Sequence, residues 1–168
     1  MAISAKAYKR YILAQYWGFL LSPLILILVN GGKVEGSISA YALATPLTFA
    51  VLMTLIAKLF ITEGATNKTN YFEIVIGLAL LLLTLFDMEE WTKTHYTFAV
   101  IFFEGIVFNM IYYSSKRYRV SNILLGLALN LAMLGCFGFG WYSIFWAEWI
   151  ALIPISAHKI LETLNRIK

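Results

Sequence analysis

The chain has 168 residues, of which 61% are hydrophobic and 13% charged, with a mean hydropathy of +0.77. Soluble domains carry roughly 25% charged residues, and a small domain leaves much of its surface exposed, so a soluble globule is excluded and lipid is the solvent that fits. The net charge of +4 comes from basic residues scattered over short connectors with no basic stripe, which excludes nucleic acid as a partner.

A hydrocarbon core about 30 Å thick needs about 20 apolar helical residues. Six runs answer that description, predicting an all-α integral membrane bundle of six transmembrane helices. The first is about 11–29. Lys6, Lys9 and Arg10 precede it, but it is as long as a full span and lacks a small-residue cleavage site, so it reads as an uncleaved helix rather than a signal peptide. It ends at the breaker Asn30-Gly31-Gly32. The second run is about 39–61, with Pro46 in its early turns, and the third about 71–86. The fourth is about 95–113, the fifth about 120–139 and the sixth about 141–160. Glycines 138 and 140 between the last two allow the positive φ that a tight corner needs.

Charge alternation predicts the orientation. Lys6, Lys9, Arg10, Lys58, Lys68, Lys116, Arg117, Arg119, Lys159, Arg166 and Lys168 fall on one side, and only Lys33 and Lys93 on the other, which accounts for all 13. The positive-inside rule then puts both termini in the cytoplasm, and an odd number of spans would destroy the pattern. The expected location is a cell membrane, the bacterial inner membrane. The sequon Asn67-Lys68-Thr69 falls on the cytoplasmic side and should be unused. Tyrosines and tryptophans such as Tyr71, Tyr112, Trp91 and Trp141 fall at the expected interfaces, as aromatic belts do.

Ionisable groups at membrane depth are costly and mark candidate sites. Glu104, nine residues into the fourth run, is roughly 14 Å deep at the helical rise, and Asn130 is about as deep in the fifth. Glu148 is roughly 10 Å deep in the sixth. Facing one another, the three would form a polar core, either a ligand or proton site or interhelical glue. Glu73 reads as an interfacial charge. A second cluster lies at the outer rim. The short loop from Phe86 makes Asp87 and His95 near neighbours, able to act as acid and base or to hold a metal, or else simply to pair and cap. Glu89 and Glu90 read as a solvated loop, Ser39 as a helix cap, and His158 as a dipole-complementing group at a helix C-terminus.

The lone Cys136 cannot form an intramolecular disulfide and has no His or Cys partners at metal spacing. None of GxSxG, HExxH, a P-loop or GxGxxG occurs. No metal and no cofactor is specified by any motif.

The stretch Ser37-Ile38-Ser39-Ala40-Tyr41, with Phe86-Asp87 and His95-Tyr96-Thr97-Phe98-Ala99 followed by Phe102-Phe103, resembles a group of uncharacterised bacterial polytopic membrane proteins. In that group a Ser-Ile-Ser-x-Tyr stretch opens an early span. The resemblance covers roughly residues 36–113 and departs at Ala42 and Asp87, where a second Tyr and a Pro are expected. It implies topology and no reaction. Membrane hydrolases that hold zinc through Ser, Asp and His need an HxxxH pair, and His158 has no such partner.

Two functions follow as expectations. One is a small carrier, ligand-binding bundle or membrane-complex subunit built on Glu104, Asn130 and Glu148, working as a homo-oligomer or with a membrane partner. The other is an outward-facing enzyme acting on a lipid or quinone-like substrate through Asp87 and His95.

Overall fold

The computed structural model describes residues 5–66, 70–113 and 116–165. The sequon, Arg166 and Lys168 lie outside them. Among the described residues every regular element is helical: α1 (Ala5–Val29), α2 (Tyr41–Ala44), α3 (Pro46–Thr66), α4 (Phe72–Leu85), α5 (Thr92–Tyr112), α6 (Arg119–Phe137) and α7 (Ile144–Asn165), with one 3₁₀ turn at Lys116–Tyr118. Five helices are long and apolar enough to cross a membrane, namely α1, α3, α5, α6 and α7. α4 has 14 residues, about 21 Å at the helical rise.

The helices other than the four-residue α2 form a closed ring in chain order, with α4 standing between α3 and α5. Each packs on its sequence neighbour, and α7 closes the ring against α1. The faces are inverted relative to a soluble bundle. Val120, Leu124, Leu127, Leu131 and Leu134 make an exposed apolar stripe along α6 at alternating spacings of four and three. The interior holds Tyr16, Phe60, Ile76, Ile106 and Ile155, all fully buried, together with buried polar and charged groups. Phe60 joins opposite walls through edge-on contacts with Phe19 and Phe102.

Local chemistry explains the boundaries. α1 stops at Asn30 because Gly31 and Gly32 take φ of 66° and 86°, a region L-residues avoid. Pro23 lies inside α1 and lacks the N–H that would bond the carbonyl of Phe19. The Ser22 hydroxyl donates to that carbonyl at 2.8 Å instead, satisfying a group that lipid would leave stranded. The second predicted run is corrected: Pro46 is the first residue of α3, not a passenger within a span. A residue before proline is pushed out of helical conformation, and Thr45 sits at φ −141°, ψ 63°, which separates the short α2 from α3. The last run is corrected too. Gly140, at φ 64°, turns the chain, but α7 starts at Ile144, and Trp141 and Tyr142 belong to the connection. The Tyr142 hydroxyl reaches back to the carbonyl of Ala132 at 2.7 Å, over the bare face of Gly135.

α3 and α4 pack most closely of all. A Cβ on Gly77 would lie 2.7 Å from the carbonyl oxygen of Ala57, and one on Gly64 would lie 2.8 Å from the backbone nitrogen of Ile74. Small residues let helix backbones approach in this way where no hydrophobic drive exists between helices.

Candidate functional site

The buried polar groups collect at the two ends of the ring. The far end, opposite the first residues of α1 and the last of α7, is closed by the segment 33–45. That segment folds inward as a strap. Tyr41 is fully buried and donates its hydroxyl to the carbonyl of Lys33 at 2.9 Å, while the Phe145 N–H at the head of α7 bonds the carbonyl of Gly36 at 2.9 Å. The strap brings Ser37, Ile38 and Ser39, all buried, to the mouth of the bundle.

Three predicted residues meet this strap or its surroundings. Glu148 accepts the backbone N–H of Ile38. His95 is buried, with Nδ1 2.7 Å from the carbonyl oxygen of Phe86 and Nε2 3.1 Å from Ser39 Oγ. A carbonyl can only accept, so Nδ1 carries a proton, and in the neutral imidazole Nε2 is then the acceptor of the Ser39 hydroxyl. Asp87 takes another role. Its Oδ1 accepts the N–H groups of Glu89 and Glu90 at 2.9 and 2.8 Å, an Asx turn that stops the chain before α5. The expected side-chain partnership of Asp87 with His95 is therefore replaced by one of Ser39 with His95. Ser39 is not the cap of α2, whose N-cap is Ala40. The exposed Glu89 and Glu90 stay in the loop.

Glu104 and Glu148 line one groove among α5, α6 and α7, a cavity of about 160 Å³. Met88, Tyr96, Phe103, Met133 and Phe137 stand on its wall, His95 contributes at the mouth end, and no lysine or arginine lines it. Glu104 is twelve residues from the start of α5 and eight from its end, so it is near mid-helix, and it is exposed. Among the described residues its carboxyl has no hydrogen-bond partner, nor does the partly buried side chain of Asn130, which does not line this groove. The three midplane groups thus divide: the structure joins Glu104 with Glu148 and leaves Asn130 apart. Glu148 also borders a smaller cavity of about 40 Å³ beneath the strap, shared with Ser39, Ser22 and Phe102.

The other end holds the densest polar cluster, and the sequence reading missed it. Lys159 on α7 is buried between Glu63 on α3 and Glu73 on α4. Its ammonium is 3.1 Å from Glu63 Oε2, bonds Glu73 Oε1, and lies 5.6 Å from the centre of the Phe60 ring. The Tyr16 hydroxyl donates to Glu63 Oε2 at 2.7 Å. Asn70 donates to Glu73 Oε1 at 3.0 Å and to Asn109 Oδ1 at 2.7 Å, and Asn109 donates to Glu73 Oε1 at 3.2 Å. Glu73 is therefore no interfacial charge: it has no exposed surface. His158 is corrected as well. It lies seven residues before the last residue of α7, is buried, and donates from Nδ1 to Asn122 Oδ1 on α6 at 2.9 Å. The available signal was spacing. Glu63, Glu73, Asn70 and Lys159 all lie within about two turns of predicted helix ends on one side.

No cluster of three or more His, Cys, Asp or Glu able to hold a metal ion occurs among the described residues. The profile of a family of unknown function (DUF7103) matches residues 21–163, and the chain belongs to that family. No curated protein and no solved structure matches it.

Proposed function

We propose that the protein is a six-span protein of the cell membrane, with both termini cytoplasmic, that binds an amphipathic ligand with a cationic head in the groove among α5, α6 and α7. The observation that carries this reading is the shared groove of Glu104 and Glu148. A carboxyl exposed at mid-helix has no water to solvate its charge in a bilayer, and when ionised it must take its counter-charge from outside the chain, since no lysine or arginine lines the groove. The groove offers two carboxylates, no basic residue, and a wall of Met and aromatic side chains. Aromatic faces attract cations, and methionine adapts to varied apolar shapes.

Six spans are supported by the run of α4. Asn70 and Glu73 at its start bond Asn109 near the end of α5, and Phe86 at its end bonds His95 near the start of α5. α4 and its flanks thus cover the same interval as residues 95–109 of α5. The charge asymmetry supports cytoplasmic termini.

The test is binding of dodecyltrimethylammonium to the protein in nanodiscs, read against the uncharged dodecanol of equal chain length. Glu104→Gln is expected to weaken binding of the cation by about tenfold or more, equivalent to about 1.4 kcal/mol, and to leave the alcohol unchanged. Equal binding of cation and alcohol, or indifference to Glu104→Gln, overturns the reading.

One observation favours the enzyme reading, relocated from Asp87 to Ser39. A serine hydroxyl on an imidazole whose other nitrogen is oriented by a carbonyl is the arrangement that activates a nucleophile. A fluorophosphonate probe checks it: attack by Ser39 Oγ expels fluoride and passes the hydroxyl proton to His95, leaving a covalent adduct on Ser39. Absence of that adduct in the native protein removes the enzyme reading.

A further inference from the structure

We infer that Asn70 and Glu73 form a site for a small monovalent cation, Na⁺ or an exchangeable proton, at the junction of α3, α4, α5 and α7. This site is at the opposite end of the ring from the groove mouth and does not depend on the groove's ligand.

The argument starts from one carboxylate with two unequal oxygens. Glu73 Oε1 receives three donors, from Asn70, Asn109 and Lys159. Glu73 Oε2 is buried and has no partner among the described residues. The same holds for Asn70 Oδ1. Asn70 is 2% exposed and Glu73 0%. The Asn70 amide cannot be turned to cure this, because its nitrogen already serves two acceptors at 3.0 and 2.7 Å. Each stranded oxygen belongs to a planar group whose other atom is bonded within the cluster, so both lie in the cluster by covalent geometry.

A buried acceptor with no donor costs about 1–3 kcal/mol, more when it carries charge. What satisfies an acceptor is a donor or a cation. The two atoms are a carboxylate and an amide oxygen, hard ligands that suit hard cations and not soft metals. A divalent ion would put two positive charges beside the Lys159 ammonium, which already bonds the other oxygen of the same carboxylate. A single positive charge fits better. The groups that face Glu73 from neighbouring elements are Glu63 on α3, Lys159 on α7, Asn109 on α5 and, through Glu63, Tyr16 on α1. Three of these titrate, so the Glu73 carboxyl must be followed individually.

The experiment uses the full chain in nanodiscs and has two arms. In the first, the thermal midpoint is followed as NaCl replaces N-methylglucamine chloride at pH 7.5 and constant ionic strength, with KCl as the control. A sodium site raises the midpoint by about 3 °C at a Na⁺ concentration roughly five times its Kd, and Asn70→Ser abolishes the rise. In the second, infrared difference spectra between pH 8 and pH 5 look for the carbonyl stretch of a protonated buried carboxyl. A proton site gives that band, shifted by Asn70→Ser and lost in Glu73→Gln. Asn70→Ser keeps every charge, so the test survives if Glu73→Gln does not fold. A midpoint indifferent to Na⁺ together with no protonated-carboxyl band that responds to Asn70→Ser or Glu73→Gln, whatever bands the groove carboxyls give, means that only water occupies the site, and overturns the inference. Neither arm involves the groove, so its ligand can fail while this site stands.

Discussion

The two ends of the ring solve the same problem by different means. At the far end, Glu148 and His95 are satisfied largely by main chain: the Ile38 N–H and the Phe86 carbonyl. At the termini end, Lys159, Glu63 and one oxygen of Glu73 are held by one another and by the side chains of Tyr16 on α1, Asn109 on α5 and Asn70, two residues before α4. Irregular backbone at membrane depth is tolerated where it is held by protein, and it can shift without unwinding a helix. A lattice of three charges and their polar partners spread over five helices cannot shift without separating them. The far end is the adaptable end and the termini end is the fixed one. The groove does not include the strap itself, but two of its lining residues, His95 and Glu148, bond strap residues and so sit against the end that can give.

The sharpest way to break this comparison is to remove the centre of the lattice. Lys159→Met leaves Glu63 and Glu73 without the ammonium between them. Losing one partner of a buried ion pair costs about 3–5 kcal/mol because the other charge stays buried. Chemical unfolding in detergent micelles measures it. Glu148→Gln is the matched change at the far end. The amide oxygen can still accept from Ile38, so the expected loss is within about 1 kcal/mol. Equal losses for the two variants would mean that the ends do not differ.

A change of packing comes next. Gly77→Ala places a methyl 2.7 Å from the Ala57 carbonyl oxygen, whereas Gly18→Ala on α1 meets nothing within 4 Å. The first is expected to cost about 1–3 kcal/mol through overpacking. The second is expected to be neutral or slightly stabilising, since alanine is the better helix former. Comparing the two midpoints separates the tight α3–α4 seam from the looser packing around Gly18.

Particular residues show why the fold was more legible in the sequence than the sites. Helix existence followed from apolar run length, which is a local property, and the breaks at Gly31 and Gly140 followed from glycine chemistry. Thr45 was missed because Pro46 was read as tolerated inside a span, although the residue before a proline is the one forced out of the helix. Glu104 and Glu148 were singled out by depth alone, and depth does not say which way a side chain faces. That is why Asn130, equally deep, stands apart from their groove. From sequence, Glu73 reads as an interfacial charge and Lys159 as one of the basic residues on the cytoplasmic side, because each is near a helix end. Their burial depends on three other helices closing over them, a relation among residues up to 96 positions apart. Ser39 and His95 are 56 positions apart, and only the folded strap brings them together.

The smallest expected effect concerns the outer edge of the strap. The Lys33 ammonium, 2.9 Å from Glu35, and the Asn30 amide, also at 2.9 Å, hold the Glu35 carboxyl below its ordinary value of 4.5. A carboxyl whose value falls on folding stabilises the folded form above its unfolded value, and that contribution is lost as pH falls through the folded value. The strap is thus fully anchored at neutral pH and loosens below about pH 4.5. Lys33 is 71% exposed, so solvent and salt screen the pair and the effect is slight. Hydrogen exchange of amides 33–41 between pH 6 and pH 3.5, corrected for intrinsic exchange, is expected to show a small acid-side loss of protection. Glu35→Gln should abolish that pH dependence, while amides of α3 and α4 beside the Lys159 lattice stay unchanged in both proteins. Acid loosening that instead starts in α3 or α4 would make the charged lattice the weaker end and reverse the assignment of the adaptable end.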